Sequence, residues 1–104
     1  MRAIRHPSLD DIQLTDIMFA LSDPERVRIV QSLASEKRPM TCLELTGARP
    51  KSTLSRHFKV LREAGILFTA VDGKEHLNSL RLAEVERRFP GLMRSILREL
   101  REGR

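Results

Sequence analysis

The chain has 104 residues, 32% of them charged and 40% hydrophobic, with a formal net charge of +5 and a sequence pI of about 10.3. That is the size of one domain, with no disorder signature and no apolar run near the ~20 residues needed to span a membrane. The basic balance points to a polyanionic partner, and four Phe with neither Trp nor Tyr argue against the aromatic stacking platforms of single-strand binders. A chain this short buries only part of its surface alone, so a second subunit would help it. Its one cysteine, Cys42, excludes an intrachain disulfide, and MRAIRHPSLDD lacks the apolar core of a signal peptide; a reducing, cytoplasmic location is expected.

Residues 1–7 read as a basic tail ending at Pro7, and 8–104 as the domain. Ser8 is a candidate N-cap, with Asp10 and Asp11 in the first turn, where the helix dipole favours acid. The helix expected from there to about Leu21 carries two apolar stripes: Leu14, Ile17, Met18 and Leu21, and a spare one of Leu9, Ile12 and Phe19. A surface helix needs only one, so the spare predicts a second packing partner. Asp23-Pro24 is an N-cap followed by proline at the first helical position, opening a helix to about Ser35 with Val27, Ile29, Val30 and Leu33 inward. A turn over Lys37–Met40 leads to Thr41-Cys-Leu-Glu44, whose capping-box spacing starts a short helix ending near Gly47. Ala48–Pro50 is a tight connector.

In the next segment, KSTLSRHFKVLREAG (51–65), Leu54, Phe58 and Leu61 fall at i, i+4 and i+7 and form one apolar stripe. Lys51, Ser52, Thr53, Ser55, Arg56, Lys59 and Arg62 are left largely to the other side. Four cations stand against one acid, Glu63, and Gly65 closes the helix as a C′ residue. The period then changes. Ile66–Val71 and Glu75–Leu82 read as strands joined by an Asp72-Gly73 hairpin signal. A last helical region starts near Ala83, is interrupted at Pro90-Gly91, and resumes with Leu92, Met93, Ile96, Leu97 and Leu100 on one face.

Short helix, tight turn and basic helix make a helix-turn-helix, and a hairpin directly after makes it winged. The expected fold is therefore mainly α with a small β-hairpin: a single winged helix-turn-helix domain. A helix of ~14 residues is about 21 Å long, enough to cross a major groove about 12 Å wide. Such a face suits duplex DNA, with Arg on guanine edges and Ser, Thr and Lys on phosphates or bases; Lys74 at the wing tip can reach a phosphate.

Two segments resemble the ArsR family of bacterial winged-helix repressors. FALSDPERVRIVQSLAS (19–35) is similar to the family's second-helix signature, and STLSRHFKVLREAGIL (52–67) to its recognition-helix signature; VDGKEH fits the wing. The resemblance spans about residues 14–82. It implies a homodimer on operator DNA that represses transcription until an effector of unidentified kind releases it. It further implies dimerisation through helices at about 8–21 and 83–102, using Leu9, Ile12, Phe19, Leu92, Met93, Ile96, Leu97 and Leu100. By matched position the DNA-reading residues are Ser52, Thr53, Ser55, Arg56 and Lys59. Arg56 is then the base-edge reader, the three hydroxyls phosphate donors at the positive helix N-terminus, and Lys59 and Arg62 backbone contacts. His57, beside the apolar stripe, is expected to pack rather than read.

The chain also departs from that family. Where many members place a metal-sensing Cys-x-Cys, this one has Thr41 and Leu43 with Cys42 between them, and one thiolate cannot build a thiolate-rich site. The last helix has no histidine for the family's other common site, and His6, His57 and His76 show no ligand spacing. No metal and no cofactor are expected. Cys42 sits at a helix start, where the dipole lowers a thiol pKa, so it reads either as a redox-sensitive thiol or as a small core residue. Ala-Arg-Pro at 48–50 replaces the usual capping serine, which bears on where the basic helix begins. Nothing resembles a nucleophile–base pair or a phosphate-cradling loop, so no enzyme is expected. The alternative to a sequence-specific repressor is a winged-helix protein-interaction module.

Overall fold

The computed structural model describes residues 4–47 and 51–102, and among them six α-helices and three short strands follow one another. In chain order they are α1 (Leu14–Ala20), α2 (Pro24–Glu36), β1 (Met40–Thr41), α3 (Cys42–Thr46), α4 (Lys51–Glu63), β2 (Leu67–Asp72), β3 (Glu75–Leu80), α5 (Leu82–Arg88) and α6 (Leu92–Arg101). The fold is a winged helix-turn-helix. The Ala48–Pro50 connector, and with it the question Pro50 raised about the start of α4, lies outside the described residues.

Local backbone chemistry sets most boundaries. The Asp23 carboxylate accepts the N–H groups of Glu25 (2.8 Å) and Arg26 (3.4 Å), and Pro24 takes the first helical position of α2. Thr41 Oγ1 accepts the Glu44 N–H at 3.1 Å while Glu44 accepts the Thr41 N–H at 2.9 Å, so the reciprocal cap on α3 is complete. Glu44 also receives Arg38 at 3.0 Å, which lowers its pKa. Gly65 ends α4 in the left-handed region (φ 86°), with Gly65 N–H on the Arg62 carbonyl and Ile66 N–H on the Leu61 carbonyl. That bond pair is a Schellman cap. Glu86 of α5 reaches across the Pro90-Gly91 break and accepts the N–H groups of Gly91 (2.6 Å) and Arg94 (2.8 Å). Two orphan donors at the start of α6 are thereby satisfied, and the Glu86 pKa falls.

The first helix departs from expectation. Instead of one helix over 8–21 there is a 3₁₀ turn at Leu9–Asp11, then extended backbone at Ile12 (φ −72°, ψ 125°) and Gln13 (φ −105°, ψ 137°), then α1. The break resets the helical phase, so the two expected stripes divide differently. Ile12, Ile17 and Ala20 are buried, whereas Leu14 (42% exposed), Met18 (62%) and Phe19 (54%) face outward. Ile12, expected at a dimer interface, is 1% exposed and belongs to the core, where it lies against Gly65. Met93, expected there too, is equally buried. In α2, Ile29, Val30 and Leu33 face inward as expected, while Val27 is half-buried.

The hairpin acquires a third strand. β1 pairs antiparallel with β3 (Met40 opposite Asn78), giving the order β1-β3-β2. Asn78 is fully buried at this junction. Its side chain receives Thr69 Oγ1 at 2.7 Å and donates to the Met40 carbonyl at 3.2 Å and to Cys42 Sγ at 3.4 Å.

The segment before the 3₁₀ turn is strapped over β2. His6 Nε2 accepts the Thr69 N–H at 2.9 Å, its ring stacks on Phe68 at 4.5 Å, and Arg81 donates to the Pro7 carbonyl at 2.8 Å. Burial, then the charges of Arg81 and Arg62, hold the His6 pKa below the ordinary 6.5. Folding thus favours neutral His6, and the unfolded chain takes up the proton first as pH falls. This contribution is complete above about pH 6.5 and is lost as the pH falls through the folded-state value. We expect His6→Gln, which keeps an acceptor but does not titrate, to flatten that part of the stability profile. Denaturant midpoints from about pH 7.5 to about pH 5 check it; parallel parent and variant profiles would show that the strap does not titrate.

Candidate nucleic-acid interface

α4 has two chemically distinct sides. Leu54, His57, Phe58 and Leu61 are buried, while Ser55, Arg56 and Lys59 are exposed and Arg62 is half-buried. The amphipathic reading thus holds for Leu54, Ser55, Arg56, Phe58, Lys59 and Leu61, while Arg62 of the polar side is partly covered. Lys51, Ser52 and Thr53 occupy its first turn, and their side chains lie outside the described residues. α3 precedes α4 in the helix-turn-helix.

The wing ends in a two-residue loop, Gly73-Lys74, between Asp72 and Glu75. Gly73 has φ 63° and Lys74 does not have positive φ, the pattern of a type II′ turn that suits the twist of paired strands. Lys74 is exposed at the tip. Ser55, Arg56, Lys59 and Lys74 therefore all offer donors to solvent, with Arg62 partly withdrawn toward His6, whose pKa feels its charge.

One contributor escaped the sequence reading. Arg26 is 4% exposed, deep for a guanidinium. Its Nε donates to the Ala20 carbonyl (2.7 Å), Nη2 to the Phe19 carbonyl (3.2 Å) and Nη1 to His57 Nδ1 (3.1 Å), and the group lies 5.1 Å from the centre of the Phe19 ring. A guanidinium only donates, so His57 Nδ1 is the unprotonated nitrogen. His57 Nε2 sits 4.0 Å from the Asp23 carboxylate. One buried cation thus joins the end of α1, the start of α2 and the middle of α4. A signal was present: Arg26, Ile29, Val30 and Leu33 share the i, i+3, i+4, i+7 face, so Arg26 falls on the inward stripe.

Cys42 is half-buried against the core, with Asn78 as its polar neighbour. Among the described residues no group of three or more His, Cys, Asp and Glu side chains is placed to hold a metal ion. Leu9, Leu92, Ile96 and Leu97 are partly buried and pack on the domain's own core, and Leu100 is half-buried.

A family model described as a helix-turn-helix domain matches residues 21–67, which take in α2, α3 and α4. The HTH-type transcriptional regulator YceK of Bacillus subtilis (strain 168) is 34% identical over 90 residues, covering 84% of this chain and 89% of that protein. Among solved structures, an ArsR family transcriptional regulator superposes with a TM-score of 0.65 at 24% identity, over 88% of this chain and 98% of its own. The transcriptional repressor BigR from Xylella fastidiosa does so with a TM-score of 0.58 at 26% identity, over 72% and 78%. With its exposed basic helix, its wing and these relatives, the chain belongs to the helix-turn-helix transcriptional regulators, and its fold is the one found in ArsR family members.

Proposed function

We propose that this regulator is a homodimeric repressor that reads a pseudo-palindromic operator in duplex DNA, with α4 in the major groove and the wing beside it. The observation that carries the reading is the exposed face of α4, Ser55, Arg56 and Lys59, held outward by a buried apolar face. Lys51, Ser52, Thr53, Arg62 and Lys74 extend the contact, Arg56 reading a base edge and the others positioning the duplex. Dimerisation uses the outward side of α1, now Leu14, Met18 and Phe19, with Leu92 and Ile96 of α6. The protein works in the cytoplasm without a catalytic role or a cofactor; no helix among the described residues is long and apolar enough to cross a membrane.

Selection of bound sites from random duplex DNA, followed by affinity measurement over a range of salt, tests this. Half-sites about one helical turn or a multiple apart are expected, with affinity falling steeply as salt rises. Arg56→Ala should cost about 1–3 kcal/mol of binding and relax preference at one base position, whereas Lys59→Ala should weaken all sequences about equally. An Arg56→Ala protein with unchanged affinity and preference would displace the reading face from α4.

A further inference from the structure

An open groove of about 1070 Å³ lies between the C-terminal half of α2 and the flank of α6 that carries Arg94, Leu97 and Arg101. That is at the upper end of the ~300–1,000 Å³ typical of small-molecule sites. Its apolar lining comes from Ala34, Met40, Leu82, Leu97 and Leu100. Most of the charges along it are committed. Arg28 pairs with Glu25 at 2.9 Å, Arg98 lies 3.8 Å from Glu99, Glu36 lies 3.9 Å from Arg38, and the Glu86 carboxylate is taken by the amides that start α6. Lys37, Arg94 and Arg101 also line the groove, and their side chains make no hydrogen bond or ion pair among the described residues. Three arginines outside the groove are, by contrast, tied down: Arg26 to carbonyls and His57, Arg81 to Glu84 and Pro7, Arg38 to Glu44.

We propose that this groove binds a small amphipathic anion, an organic acid whose apolar body lies on Met40, Leu82 and Leu97 while its head group meets Arg94, Arg101 and Lys37. The chemistry is complementary at both ends. A planar guanidinium pairs with a carboxylate or sulfonate through two parallel hydrogen bonds, and the apolar body removes the hydrocarbon lining from water. An apolar cation or a neutral amphiphile supplies only half of that match. Both walls lead to the DNA-binding machinery. α2 carries Asp23 and Arg26, which hold His57 of α4, and α6 carries the proposed dimer contacts. The ligand's role as an effector rests on the proposed DNA-binding function; its binding does not.

The test uses the full chain and the fluorescent anion anilinonaphthalene sulfonate, displaced in competition by decanoate, decylamine or decanol. One dye per chain is expected, with decanoate displacing it at least about tenfold more effectively than the other two, the size of one charge-assisted pair. The double variant Arg94→Gln/Arg101→Gln, both at exposed positions, should weaken dye and decanoate by about tenfold or more without changing the thermal melt. Met18→Gln should change neither. Decylamine competing as well as decanoate, or a double variant that binds like the parent, overturns the site. Dye binding abolished by Met18→Gln moves it to the outward side of α1 and overturns the site as well. Operator affinity with and without decanoate then decides the effector role: a shift supports it, and intact decanoate binding with no shift overturns it. A ligand-free parent that binds no duplex counts against the proposed function and not against the groove.

Discussion

Gly65→Ala unfolds with about 2–5 kcal/mol less stability than the parent, the sum of a left-handed backbone cost of about 1–2 kcal/mol and an overpacking cost of about 1–3 kcal/mol. Both terms are visible at the site. Gly65 has φ 86°, and a Cβ built there stands 2.5 Å from Ile12 Cγ1 and 2.6 Å from its Cδ1. Ile12 cannot easily retreat, being itself 1% exposed among core side chains. For a domain of this size the loss lowers the melting temperature by roughly 4–8 °C per kcal/mol. The two terms separate in a double-mutant cycle. In an Ile12→Ala background the overpacking part disappears and the backbone part stays, so the second substitution costs less than it does in the parent. Thermal and urea unfolding of the four proteins measure this. A Gly65→Ala midpoint indistinguishable from the parent would mean that the cap and the Ile12 contact do not constrain the chain.

Arg26→Met is expected to cost about 2–4 kcal/mol of folding free energy and to weaken DNA binding as well. Methionine fills much of the volume but offers no donor, leaving the Ala20 carbonyl and His57 Nδ1 unserved inside the protein, while the Phe19 carbonyl keeps its bonds from Ser22. Each buried acceptor stranded in this way costs about 1–3 kcal/mol, less where local relaxation admits water. His57 belongs to α4, so the loss also removes one tie between the reading helix and α2. Arg26→Lys restores the charge without the planar fork and should recover only part of the stability. Urea midpoints and operator affinity on the same preparations are the readout. If Arg26→Met melts with the parent and binds DNA unchanged, the guanidinium is a passenger in the core.

The features legible in the sequence are those decided by a few adjacent residues. Asp23-Pro24 starts a helix because carboxylate and pyrrolidine ring act on neighbouring backbone groups; Thr41 with Glu44, Gly65, and Gly73 work the same way. The outward face of α4 was legible because Leu54, Phe58 and Leu61 mark its inward face and fix the rest by periodicity. What was not legible depends on partners far along the chain. No Gly or Pro announces the break at Ile12 and Gln13; its geometry goes with the seat of Ile12 against Gly65. β1 is two residues long and is defined by pairing with β3, nearly forty residues on. Arg26 was passed over because a charge is presumed to face solvent until carbonyls and a ring nitrogen are found waiting for it. Ile12 and Met93 were placed at a dimer surface because apolar periodicity tells that a residue is covered, not by which chain.

Asn78 has a mechanical consequence. Its amide binds β2 through Thr69, the entry to α3 through Met40, and Cys42 at the first turn of α3. The hairpin is therefore no loose flap but an arm bolted to the helix-turn-helix. In the proposed complex, α4 and the tip at Lys74 reach the duplex as the two jaws of a caliper with a set gap. A caliper measures as well as grips: it rewards DNA whose groove width and backbone spacing match the gap, so the shape of the operator enters recognition alongside its base edges.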